Sequence, residues 1–178
     1  RASGQPDAPI RVCAYHRARF DLPGLLLAGS HLHVEGFAVA RAGGDGGVVS
    51  GSSNRLESLL VSGCKGAGLR ARGAASLTLN HCTLVENRSG LALTDGSTNA
   101  AMRNCIVAFN RDAQSQTDES SRAGCRGYNT CYFGAGVDRE GGESPKTTVP
   151  ILRSADSIVA DPKFVDAAQH DYRLTWDS

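Results

Sequence analysis

The stretch SLTLNHCTLVENRSGLALTDGSTNAAMRNCIVAFN, residues 76–110, states one phrase twice: Leu79, Cys82, Leu84 and Asn87 return 23 positions later as Met102, Cys105, Val107 and Asn110. Weaker copies stand upstream at Val34, Phe37, Val39 and Ala42, then at Leu56, Leu59, Val61 and Cys64, with successive offsets of 22, 23 and 23 residues. An internal period of about 20 to 50 residues marks a solenoid, whose units bury their apolar faces only by stacking on one another. Inside a unit, Leu77, Leu79 and Leu84, then Leu91 and Leu93, alternate with polar residues, which is the period of a strand. Gly, Asn, Asp and Ser lie between the strands and supply bends. Each unit is expected to be two or three short strands. The first helix-like stripe comes only at about 150–158.

The same spacing suits a leucine-rich repeat, in which the Asn leads into a further leucine-spaced stretch. Here a Gly and apolar residues follow instead, as in NRSGLAL at 87–93 and CKGAGLRA at 64–71. Gly68 and Gly90 therefore mark corners that turn the chain into another strand, and the pattern predicts an all-β parallel β-helix of about 22–23 residues per rung, with four to five rungs. Equivalent residues then stack ~4.8 Å apart. That places Asn87 and Asn110 in an amide ladder, which takes Asn87 away from its formal NRS glycosylation sequon.

Composition bounds the partners. The 178 residues allow one domain with a real core, and 21 glycines beside 6% aromatics suit many short strands with tight bends. A net charge of +1 gives no concentrated basic face for nucleic acid, and no apolar run nears the ~20 residues of a membrane span. The chain opens RASGQPDAPI without Met and stops at RLTWDS, so it reads as a β-helix truncated at both ends. Three divisions are expected: rungs over 1–110, a long polar loop over 111–148, and a closing rung or cap over 149–178. None of the six cysteines forms C-x-x-C, which argues against structural zinc. Cys82 and Cys105 occupy apolar slots as small buried residues. Cys125 and Cys131, in a polar Gly-rich stretch, are the pair expected to form a disulfide in an oxidising compartment.

Three further stretches carry a resemblance. GQPDAPIRVCAY at 4–15, GSHLHVEGFAV at 29–39 and above all DSIVADPKFVDAAQHDYRL at 156–174 resemble segments of the right-handed parallel β-helix proteins of the pectin-lyase-like superfamily, especially bacterial extracellular members. The resemblance implies a right-handed coil, a secreted, periplasmic or cell-surface location, and an acidic polysaccharide laid along an outer face, with lyase or epimerase chemistry in prospect. In the closing phrase, Phe164 and Leu174 are spaced for two strand-like segments around a polar turn, suited to covering an open end of the coil.

On such a coil a site is a column of outward residues, one per rung. Register places Glu35, Glu57, Asn80 and Arg103 in one column and Gly36, Ser58, His81 and Asn104 in the next. A uronate lyase needs a base for the C5 proton and a cation for the carboxylate, often with Ca²⁺ on acidic residues and Asn. His81 and Arg103 are the candidates for base and neutraliser, Glu35 and Glu57 for the metal, and Asn80 and Asn104 for substrate contact. No Lys/Arg pair is expected one or two rungs apart on that face. His31 and His33, two apart on one strand, are read as surface histidines. In the 111–146 stretch, Arg122, Arg126, Arg139, Tyr128, Tyr132 and Phe133 can stack on sugars and hold an anionic chain, or dock a protein partner in a structural or adhesive module.

Overall fold

The computed structural model describes residues 2–14, 19–20, 24–121, 125–134 and 152–176. The chain coils as a three-sided parallel β-helix. The first sheet holds Ile10–Cys13, Leu32–Glu35, Arg55–Glu57, Thr78–Asn80, Ala100–Arg103, Cys125–Tyr128 and Leu152–Arg153. The second holds Arg19–Phe20, Ala38–Ala40, Leu60–Ser62, Thr83–Val85, Ile106–Ala108, Cys131–Phe133 and Ile158–Val159. The third holds Leu25–Leu27, Gly47–Ser52, Ala67–Ala75, Ser89–Thr94 and Ala113–Thr117, so five rungs are closed on all three sides. Among the described residues no helix is long and apolar enough to cross a membrane.

Alternation along each strand sends every second side chain inward. The repeat residues Val34, Leu56, Leu79 and Met102 line the first sheet's inner face, each 1% exposed or less. Val39, Val61, Leu84, Val107 and Tyr132 do the same under the second sheet. A fully buried Leu or Val contributes about 1.5–3 kcal/mol against leaving it in water, so stacking these columns is what holds the coil together. Cys82 and Cys105 lie inside at successive rungs, as expected, and hydrogen bonding to Cys105 together with burial pushes the Cys82 thiol up.

The amide ladder forms. Asn110 Oδ1 accepts from Asn87 N at 3.0 Å and Asn87 Nδ2 at 3.2 Å, while Asn87 Oδ1 accepts from Cys64 N at 3.0 Å. Gln114, which the repeat does not announce, tops the stack by accepting from Asn110 Nδ2 at 2.8 Å. Asn87 is 1% exposed, so its sequon is closed to modification in the folded chain.

Strands stay in register while corners change length. The offset between facing residues is 22 from Ile10 to Leu32, 23 from Thr78 to Ala101 and 25 from Ala101 to Arg126. One added residue enters within a strand, where pairing shifts between Val49–Ala71 and Gly51–Ala74 and Gly73 takes φ +57°.

Four expectations are corrected. The loop expected from residue 111 contains strands at 113–117, 125–128 and 131–133, because Gln114, Ser115 and Thr117 turn polar side chains into the buried end of the coil. Cys125 and Cys131 are both unpaired: Cys125 points inward at 4% exposure, while Cys131 Sγ donates to Ala160 O at 3.3 Å. Burial pushes the Cys125 thiol up to about 12. Residues 152–159 carry two short strands instead of a helix. The closing phrase does form an antiparallel hairpin, Phe164–Asp166 with Asp171–Leu174, but it packs on the flank and not over an end. Phe164 lies 6.1 Å from the Phe109 ring, and the Tyr172 hydroxyl donates to Glu86 at 2.8 Å.

Candidate functional site

Parallel pairing puts Cys13, Glu35, Glu57, Asn80, Arg103 and Tyr128 in a single outward column on the first sheet. The four residues expected there are brought together. Two positions earlier on the same strands runs a second outward column, Arg11, His33, Arg55, Thr78, Ala101 and Arg126, of which only His33 and Arg126 had been singled out. Arg11 and Arg55 stand two rungs apart on this face, which corrects the expectation that no such cationic pair exists. Strand alternation was the available signal: any residue two before an outward one also points out.

At the N-terminal end of this face is a groove of about 700 Å³ lined by Pro6, Pro9, Arg11, His33, Glu35 and Arg55 among others. Glu57 is its electrostatic centre. Its carboxylate accepts from Arg55 Nε at 2.9 Å and lies 3.0 Å from His33 Nε2. His33 is therefore not a surface histidine; it is 8% exposed and held edge-on by Glu57. Burial alone would raise the Glu57 carboxyl, but hydrogen bonds from Arg55 and His33, with the Arg55 charge, outweigh it and hold its pKa below the usual glutamate value. A folded value below the unfolded one supplies stability above the unfolded pKa, lost as pH falls through the folded pKa. Carboxyl-carbon NMR titration is expected to give Glu57 a midpoint below that of free glutamate, and Arg55→Ala to move it up. An unmoved midpoint in the variant would remove Arg55 as the cause.

Ca²⁺ takes about six to eight oxygen ligands. Glu57 is committed to Arg55 and His33, the Glu35 carboxylate accepts from Cys13 Sγ at 3.7 Å, and among the described residues no three His, Cys, Asp or Glu side chains converge. As they are paired among the described residues, Glu35 and Glu57 do not make up such an oxygen set, and no step is routed through a metal.

Toward the C-terminal end the face changes character. The Arg103 guanidinium lies 4.5 Å from the centre of the Tyr128 ring, a cation–π contact that holds an exposed charge flat on the face. Arg126, exposed, is on the same strand as Tyr128. Asn80 is 9% exposed, and with its amide turned the fitting way round its oxygen accepts from Arg55 at 3.3 Å, so it braces the face more than it offers itself. Tyr132, expected on a ligand, is 3% exposed inside the coil because position alternates and 132 faces inward. Arg122 and Arg139 lie outside the described residues.

The adjoining column, Gly36, Ser58, His81 and Asn104, is a bend. All four take left-handed backbone, with φ between 52° and 80°. That conformation costs roughly 1–2 kcal/mol for an ordinary residue and least for Gly, Asn and His. Each bend N–H donates to the carbonyl one rung on, as from His81 to Arg103 at 3.0 Å. Ser58, His81 and Asn104 are exposed, and Asn104 Nδ2 meets His81 Nε2 at 3.4 Å. A second groove, about 610 Å³, lies beyond this bend, with the apolar side chains Ile106, Ile158 and Leu174 in its walls, and is poorly suited to an anionic chain.

The family described as right handed beta helix region matches residues 22–141. Among solved structures, that of pectate lyase Pel9A is similar, with a TM-score of 0.67 and 19% identity over 83% of this chain. The chain spans 42% of that structure's length, and the likeness is one of fold. Comparison with curated proteins gives no match.

Proposed function

The chain belongs to the right-handed β-helix family, and from that premise we propose that it binds an acidic polysaccharide along the outer face of its first sheet and processes it there, outside the cell. The observation that carries the reading is the Arg103–Tyr128 stack on a face that also bears Arg11, Arg55 and Arg126. A flat guanidinium–aromatic platform suits a chain of alternating rings and carboxylates: the ring plane takes the sugar, the N–H edge takes the anion. Arg55 is partly neutralised by Glu57, so the positive charge available to a ligand comes mainly from Arg11, Arg103 and Arg126. His81 and Asn104, exposed on the neighbouring bend, lie where a chain following this column passes.

Gels carrying homogalacturonan or alginate are expected to retard the chain, dextran gels not, with retardation fading as salt screens the arginines. Arg103→Ala is expected to weaken retention about tenfold, the loss of one charge-assisted contact of roughly 1.5 kcal/mol. Equal retardation by dextran would sink the anionic reading. No retardation by any polymer would favour a structural or adhesive module, a reading supported by the internal pairing of Arg55, Glu57 and Asn80.

A further inference from the structure

We infer that Cys82 and Cys105 are a site for a disulfide that joins two neighbouring rungs through the interior of the coil. The inference stands apart from the polysaccharide reading above. Strand pairing on both sides sets the two residues opposite each other: Asn80 faces Arg103 on the first sheet and Thr83 faces Ile106 on the second, each with an offset of 23. Cys82 and Cys105 share that offset, so their Cα atoms stand ~4.8 Å apart along the coil, within the range of about 4.4–6.8 Å that a disulfide spans. Both side chains point inward, at 1% and 2% exposure. The Cys105 thiol leans toward the earlier rung, donating to Leu79 O at 3.6 Å as well as to Arg103 O at 3.2 Å. It meets the Cys82 thiol there, and their hydrogen bond is the main cause that pushes the Cys82 thiol up.

No other pair among the six cysteines has this register in the described residues. Cys125 faces Ala100, Cys131 faces Ile106 and Ile158 on the outer side of the second sheet, and Cys13 faces Glu35 on the outer side of the first. Cys64 sits at the ladder corner, where the next rung presents Asn87. Register, and not a polar neighbourhood, selects the pair. Each of the two directly follows an exposed bend residue, His81 or Asn104, so the bond pins the bend that borders the first sheet's outer face.

The oxidant is a small disulfide of the glutathione type. One cysteine thiolate attacks it, forming a mixed disulfide and releasing one thiolate of the reagent. The second cysteine thiolate attacks the cysteine sulfur of that mixed disulfide and releases the other. Two electrons pass from the cysteine pair to the reagent, and the two protons that the cysteines lose end on its two thiols. In the folded coil both sulfurs are closed to a reagent of that size. The exchange therefore belongs to folding, before the later rung has settled on the earlier one.

The test refolds the full chain from denaturant with reduced and oxidised glutathione and, in parallel, with a reducing agent alone. Remaining thiols are blocked with iodoacetamide, and the chain is digested with trypsin without reduction. Cleavage after Arg72, Arg88, Arg103 and Arg111 places Cys82 in the peptide 73–88 and Cys105 in the peptide 104–111. The expected product is these two peptides joined and lighter than their sum by two hydrogens, with the other four of the six cysteines alkylated. The joined chain is expected to keep the strand circular dichroism of the reduced one. Its folding equilibrium in guanidinium is expected to favour the folded state at least about tenfold more, since the bond restricts the unfolded chain. Cys82→Ala and Cys105→Ala are expected to give the same midpoint from either refolding buffer. Six alkylated cysteines after oxidative refolding, or a bond mapped to another pair such as Cys125 with Cys131, would overturn the inference. So would a joined chain that has lost the strand signal or resists guanidinium no better.

Discussion

Replacing Asn110 with alanine is expected to cost about 3–5 kcal/mol, the largest loss among single polar side chains of this coil. The residue is 1% exposed, and its amide oxygen receives two donors from Asn87 while its nitrogen serves Leu84 O at 3.0 Å and Gln114 at 2.8 Å. Truncation takes this partner from the buried Asn87 N–H and the Leu84 carbonyl, while Asn87 Nδ2 keeps Val61 O at 3.0 Å and Gln114 Oε1 keeps Asn110 N at 3.4 Å. An unmet buried group costs about 1–3 kcal/mol, so two together outweigh any single core truncation of modest size. Denaturant titration by circular dichroism is the measurement. A midpoint shift worth less than about 1 kcal/mol would mean that water enters the ladder and replaces the lost amide.

Gly90→Ala is expected to prevent folding altogether. A Cβ at Gly90 would run into the Gln114 carbonyl oxygen and Val107 Cγ1, clashes no side-chain adjustment relieves, since one atom is backbone and Val107 is fully buried. The next rung must be pushed away, breaking register on the third sheet. The control is Gly43→Ala, where nothing lies within 4 Å of the new carbon and stability is expected to change by no more than about 0.5 kcal/mol. Soluble yield and thermal melts separate the two. If both variants melt together, the close approach at Gly90 is not what the rung spacing demands.

Gly90 also shows how the sequence can be right about place and silent about cause. Gly68 and Gly90 were expected at corners, and both open strands there, but neither has positive φ; they are glycines because another backbone comes close. The inner columns were legible because Leu, Val and Met at fixed spacing have few other uses. The stretch after 111 was not, since Gln114, Ser115 and Thr117 turn inward as polar residues and erase the hydropathy alternation that marks a strand. Tyr132 failed for a related reason: tyrosine serves core and ligand equally well, and only register decides between them. The outward column of Glu35, Glu57, Asn80 and Arg103 came directly from the repeat. Its neighbour with Arg11, His33 and Arg55 did not, because no repeated residue type runs along it. Nor could spacing reveal that His33 would be drawn under Glu57, a contact made across a rung by two long side chains.

The offsets that lengthen from 22 to 25 residues while strands remain paired carry a consequence for how such a chain can diverge. Heredity can add or delete residues at the corners without disturbing the interior, and the one residue added within a strand is taken up as a bulge at Gly73. Gly43, Gly44 and Gly96, with open space around them, are natural splice points for foreign peptides. A loop grafted at one of them would be displayed at a known height along the coil, which makes the chain a ruler for presenting epitopes at spacings set by the number of rungs between grafts.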